Sequence, residues 1–105
     1  MYYRYEAMLP DGSWTGICSV LDPSERRRFN RLVREPKWYS VGNNAGRKST
    51  CWLTEEGFAK YGTGIAALIA EHRERVETPP LRFRTAETLG NIVVRGKIQV
   101  INLEE

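Results

Sequence analysis

The stretch TEEGFAKYGTGIAALIAEHRERVETPP, residues 54–80, constrains this chain more than any other. Phe58, Tyr61, Ile65, Leu68, Ile69, His72 and Val76 hold one helical phase, the mark of a helix with a single apolar stripe. Thr54 is a good N-cap, and Glu55 and Glu56 stand in the first turn, where acids favour the helix dipole. Pro79 and Pro80 end the pattern. The predicted helix is 55–76. Gly62 and Gly64 each weaken it by about 1 kcal/mol against alanine, so a break or kink is expected at 62–64. A one-sided helix of this length must cover something, and the rest of the chain supplies strands.

YYRYEAML at the start alternates, with Tyr3 and Tyr5 on one face and Tyr2, Arg4 and Glu6 on the other, as in a half-buried strand. Pro10 and Gly12 make PDGS a turn, and WTGICSV then reads as the returning strand. Gly16 in its middle signals a bulge or a close backbone approach. KWYSV and TCWL are short strand candidates on either side of the polar loop GNNAGRKS, giving a second hairpin over 37–53. LRFR is another short strand and TAETLG a capped turn. NIVVRGKIQVINL closes the chain as a strand or a strand pair with a bend at Gly96. The order predicts an α+β fold: a mainly antiparallel sheet of about five to six strands, with two helices covering one face. At 105 residues the chain fits one domain, 1–105.

The other helix, about 22–35, opens on strong punctuation. Asp22 is the N-cap, Pro23 fits the first position, and Glu25 completes a capping-box pattern. Pro36 disfavours helical geometry at Glu35. Phe29, Leu32 and Val33 form the core stripe. Arg27, Arg31 and Arg34 cluster opposite, with Arg26 and Arg28 at the flanks. The formal excess of +3 is local: residues 1–47 hold eight Lys/Arg against five Asp/Glu, whereas residues 48–105 hold eight of each. A solvated helix face ordinarily mixes signs, yet Arg27–Arg31, Arg28–Arg31 and Arg31–Arg34 are like pairs at helical spacing, which destabilise. That favours an anionic partner. Arginine is also the residue of choice for two-pronged phosphate contacts. Lys37 and Trp38 follow directly, and Arg47 and Lys48 lie in the polar loop. Arg26, Arg27, Arg28, Arg31, Arg34, Lys37, Trp38, Arg47 and Lys48 are thus the candidate contact residues, with aromatic rings available to stack on bases where exposed. Trp52 is read as core.

Catalytic and metal chemistries fare worse. GNNAGRKST has three residues between its glycines where a phosphate loop needs four, Arg47 precedes Lys48, and a strand follows instead of a helix. Cys51 and His72 could form a nucleophile–base pair, but His72 falls on the core stripe and no orienting group accompanies them. One histidine and two cysteines do not make a structural zinc site, so no metal and no cofactor is expected. Cys18 and Cys51 read as reduced thiols. No apolar run approaches the roughly 18–20 residues of a membrane span, and the start lacks the parts of a signal peptide. The expected location is the cytoplasm of a bacterial host cell.

Two resemblances bear on function. Arg4 on a first strand, Ser49–Thr50 on a later one and Glu87 loosely resemble the Arg, Ser-Thr, Glu arrangement of ADP-ribosyltransferases, which would imply an enzyme. In its style as a whole, with short capped elements, a tyrosine-rich start and a binding patch without a motif, the chain resembles small accessory proteins of phages and mobile elements, anti-CRISPR proteins in particular. That resemblance implies a non-enzymatic, stoichiometric inhibitor of a Cas nuclease–guide RNA complex. A general RNA- or single-stranded-DNA-binding module is the alternative. A monomer or small homo-oligomer is expected in either case.

Overall fold

The computed structural model describes residues 1–33 and 48–104. Its elements run β1 (Tyr2–Met8), β2 (Trp14–Gly16), a short 3-10 turn (Ile17–Val20), α1 (Pro23–Val33), β3 (Lys48–Leu53), α2 (Glu55–Arg75), β4 (Leu81–Ala86), β5 (Ile92–Arg95) and β6 (Gln99–Glu104). All pairings are antiparallel in one six-stranded sheet, and the fold is α+β as expected.

β1 is the hub of the sheet. β4 pairs with it from Tyr2 to Ala7. The other edge of β1 is shared: β3 meets it at Tyr3, and β2 meets it from Glu6 to Met8. The sheet therefore splits where β2 and β3 part, and the side chain of Arg4 fills the split. Arg4 Nη1 donates to the carbonyl of Cys51 at 2.7 Å. Had the β1–β3 ladder continued in register, Tyr5 would have stood opposite Cys51. Arg4 instead satisfies a backbone acceptor that would otherwise be costly to leave unmade.

The two helices pack on the face carrying Tyr3, Tyr5, Ala7 and Leu53. Ala7, Ile17, Val33, Leu53, Ile65 and Ile69 form the core, with Phe29, Leu32, Phe58 and Tyr61 packed around it. The helical stripes are borne out, except that Val76 is 44% exposed. Val76 caps α2 with extended backbone angles, so the helical phase no longer aims it inward. Thr54 caps α2 as expected, accepting from Gly57 N–H at 3.0 Å.

Three local expectations are corrected. α2 runs unbroken from Glu55 to Arg75, and two of its glycines lie at close contacts. A Cβ on Gly62 would come within 3.0 Å of the Phe58 ring, and one on Gly57 within 2.2 Å of the Ile98 carbonyl oxygen. The returning strand stops at Gly16 and turns inward at Ile17, which is 3% exposed. A Cβ on Gly16 would stand 3.3 Å from the Arg4 guanidinium, so the close approach anticipated there is to a side chain inserted from β1. β4 extends through Thr85 and Ala86, which pair with Tyr3 and Tyr2, so no capped turn begins there. α1 is described to Val33, whose carbonyl accepts from Gln99 Nε2 at 2.9 Å. The Pro10–Gly12 turn and the β5–β6 bend at Gly96 hold: Gly12 has φ +86°, and Gly96 N–H donates to the Gln99 carbonyl at 2.8 Å. The expected strand at 37–41 lies outside the described residues. Among the described residues, no helix is long and apolar enough to cross a membrane.

Candidate anion-binding surfaces

α1 is pinned at its start by a buried polar knot. Asp22 Oδ1 accepts from Glu25 N–H at 2.8 Å, and Glu25 Oε1 accepts from Asp22 N–H at 3.1 Å, a complete capping box. Glu25 then reaches further than a capping residue need. Its Oε1 is 2.7 Å from His72 Nδ1, and its Oε2 is 2.6 Å from Arg75 Nη2. Glu25 is 3% exposed and His72 5%. Burial raises the Glu25 carboxyl, but the hydrogen bonds from Arg75, the Asp22 backbone and His72 outweigh it and hold the group below its ordinary range. An ionised carboxylate only accepts, so His72 carries its proton on Nδ1. This is the satisfied buried histidine the helical stripe predicted, and it ties α1 to α2.

That anchoring sets the orientation of the arginines. Arg26 turns back onto the preceding chain and donates to the carbonyls of Cys18 and Leu21 at 3.1 and 3.2 Å. Arg28 pairs with Glu71 of α2 at 2.7 Å. Arg27 and Arg31 are exposed, one turn apart, and make no hydrogen bond or ion pair with the described residues. Arg31 also borders a groove of about 360 Å³ between the helices, with Arg28, Leu32, Gly64, Ala67 and Leu68. Of the remaining candidates, Arg34, Lys37, Trp38 and Arg47 lie outside the described residues. Lys48 opens β3 opposite Glu104.

A second basic cluster, which the sequence reading did not assemble, lies on the sheet face away from the helices. Glu6 is 2% exposed and receives three guanidiniums. Arg4 Nε and Arg82 Nε approach its carboxylate at 2.7 and 2.6 Å, and Arg84 Nη1 at 3.2 Å. Burial raises the Glu6 carboxyl, and these arginines more than reverse that, leaving it lowered. Arg82 Cζ lies 4.2 Å from the Trp14 ring centroid, and Arg84 Cζ 5.0 Å from that of Trp52, both within cation–π range. Trp52 is core, as expected, at 2% exposed, and its Nε1 donates to Asn102 Oδ1 at 3.1 Å. The available signal was the period of two: Arg4 and Glu6 share one strand face, and so do Arg82 and Arg84. Nothing local pairs residues 76 positions apart.

Set against known protein families, curated proteins and solved structures, the chain matches none. Its function has to be argued from these side chains.

The residues of the possible enzymatic arrangements are placed as follows. Arg4 is 7% exposed and bonded to Glu6 and the Cys51 carbonyl, Thr50 is 1% exposed, and Glu87 follows the end of β4 on the surface. Arg4 and Ser49 border a cleft of about 310 Å³ at the split of the sheet, together with Cys18, Cys51 and Asn30; Glu87 is not among its described lining. His72 is engaged with Glu25, while Cys51 stands on β3 beside that cleft. No group of three potential metal ligands occurs among the described residues.

Proposed function

We propose that this protein is a non-enzymatic binding module for a polyanionic partner, with Arg27 and Arg31 of α1 at the centre of contact. In its narrower form the proposal is a stoichiometric inhibitor of a Cas nuclease–guide RNA complex, engaging the complex through this helix. The supporting observation is selective. Arg26 and Arg28 are each used within the fold, whereas Arg27 and Arg31 have no partner among the described residues. Like charges at this spacing destabilise a helix unless an anion relieves them, and arginine meets phosphate oxygens with two donors.

Binding to labelled RNA, single-stranded DNA and duplex DNA over a salt series tests the general form. Affinity should fall with salt with a log–log slope of about −0.9 per phosphate contact on duplex and about −0.7 on single strands. The absence of binding to all three at low salt would defeat the nucleic-acid reading and leave an acidic protein as partner. For the narrower form, an inhibitor should bind the guide-loaded nuclease far better than bare guide and block cleavage at near one-to-one stoichiometry. Equal or better binding to bare nucleic acid would refute it.

A further inference from the structure

β4 pairs with β1 along one side, and among the described residues no strand pairs with its other side. With six residues it is the longest of the edge strands described, β2 having three and β5 four. The register fixes which of its backbone groups face outward. Met8 N–H donates to the Pro80 carbonyl at 2.9 Å. Glu6–Arg82, Arg4–Arg84 and Tyr2–Ala86, at successive two-residue steps in the same register, are therefore the hydrogen-bonded pairs. The N–H and C=O groups of Leu81, Phe83 and Thr85 point away from β1. Such a row is a template for another strand, and its alternating donors and acceptors match a polypeptide backbone rather than a nucleic acid.

The side chains decide which strand fits. Two copies of β4 meeting about a two-fold axis have two registers that join five residues each. One sets Arg82 against Arg84, and the other sets Arg84 against itself. Both contacts fall at non-hydrogen-bonded positions, where opposed side chains come closest. Like charges directly opposite destabilise, so the edge resists its own copy. Carboxylates at those positions would be favoured instead. Arg82 is 38% exposed, held by Glu6 at 2.6 Å and lying over Trp14 at 4.2 Å. An acid on an added strand would meet it from the side opposite Glu6. The helix-facing side of β4 is apolar. Phe83 stacks on Tyr3 and Phe58, yet is 47% exposed. With Leu81 it borders a depression of about 230 Å³ lined also by Tyr5, Ile17, Ala66 and Ile69.

We propose that β4 takes one added antiparallel strand from a partner protein, an extended segment that sets acidic residues against Arg82 and Arg84 and apolar residues against Leu81 and Phe83. Main-chain bonds to Leu81, Phe83 and Thr85 supply affinity, and the alternation supplies selectivity. This edge acts independently of whatever α1 holds.

The probe is the heptapeptide TVEVEVT, capped at both ends and titrated into the isotope-labelled full chain by NMR. Hydrogen exchange at the Leu81, Phe83 and Thr85 amides should slow as peptide is added. Methylating the backbone nitrogen of the central valine, which faces β4, should abolish binding, whereas methylating that of a glutamate, which faces away, should be tolerated. Glutamine in place of both glutamates should weaken binding about tenfold, at about threefold for each cross-strand charge pair. Thr85→Pro removes one outward N–H at an exposed edge position, where proline is tolerated; it should keep the melting temperature and lose peptide affinity several-fold. R27Q/R31Q should bind the peptide as the wild type does. No binding at millimolar peptide, or unchanged exchange at the three amides, would overturn the proposal. Equal affinity for the valine-methylated and unmodified peptides would do so even if Thr85→Pro failed to fold. Binding lost in R27Q/R31Q would place the peptide on α1 instead, and oligouridylate slowing the same three amides would assign the edge to nucleic acid; either result overturns the added strand.

Discussion

Replacing Glu25 with alanine removes three bonds of the polar knot at once while deleting little apolar surface. His72 Nδ1–H, in a residue 5% exposed, would lose its acceptor. A buried donor left unmade costs about 1–3 kcal/mol. The Asp22 N–H would lose its half of the capping box, and a cap is worth about 0.5–2 kcal/mol. Arg75 keeps Asp22 Oδ2 at 2.7 Å as an alternative, so little is assigned to it. The expected loss is about 2–4 kcal/mol, near the range for breaking a buried ion pair and a large share of the roughly 5–15 kcal/mol a domain holds in total. Urea unfolding followed by circular dichroism should show the midpoint falling with an unchanged slope. Glu25→Gln should lose less, since its amide oxygen still accepts from one neighbour. In a double-mutant cycle, Glu25→Ala and His72→Gln should be coupled by at least about 1 kcal/mol, because contacting residues do not add. A loss in Glu25→Ala below about 1 kcal/mol, or additivity with His72→Gln, would refute the account of α1 docking.

Acid should act through the same knot. Asp22 is lowered from 3.8 to about 2, chiefly by the Glu25 N–H and then Arg75, and Glu25 is lowered as well. A depressed carboxyl stabilises above its unfolded value and loses that contribution as pH falls through its folded one. Stability measured by thermal melts should thus decline below about pH 4, and Asp22→Asn should flatten the decline. Arg27→Glu with Arg31→Glu should leave the melting temperature little changed or raised, since exposed substitutions stay within about 0.5 kcal/mol each, while partner binding is lost; a clearly destabilised variant would mean these side chains are structural. Gly57→Ala should destabilise by about 1–3 kcal/mol, because its Cβ would meet the Ile98 carbonyl oxygen, a backbone atom, at 2.2 Å; a wild-type melt would contradict that contact. Burial raises both thiols, and with the nearby Cys51 it pushes Cys18 up to about 11; thiolate is the reactive form and Cys51 is the more exposed of the two, so iodoacetamide at pH 8 should label Cys51 first, as mass spectrometry of digests would show.

The sequence alone determined what depends on near neighbours along the chain. The cap at Thr54, the Asp22–Glu25 box, the stripes of α1 and α2, the Gly12 turn and the Gly96 bend all arise from residues within a turn or a hairpin of one another, and each was legible. The class of the fold followed, because a one-sided helix and alternating strands have few ways to bury their apolar faces together. The tertiary structure decided where a distant group intruded. β2 ended at Gly16 because Arg4 occupies the split between β2 and β3. Gly57 of α2 is set against the Ile98 carbonyl, a contact no helix propensity contains. The arginines show the same division. Periodicity aims Arg26, Arg27, Arg28 and Arg31 away from the core alike, and only the placement of Glu71 and of the Cys18 and Leu21 carbonyls separates the engaged arginines from the two without a partner among the described residues. The Glu6 cluster lay beyond any local reading, since its parts come together only when β4 returns to pair with β1. Hydrogen bonds and ion pairs act over a few ångströms in space, whereas sequence patterns register only those ångströms that coincide with a few residues of chain.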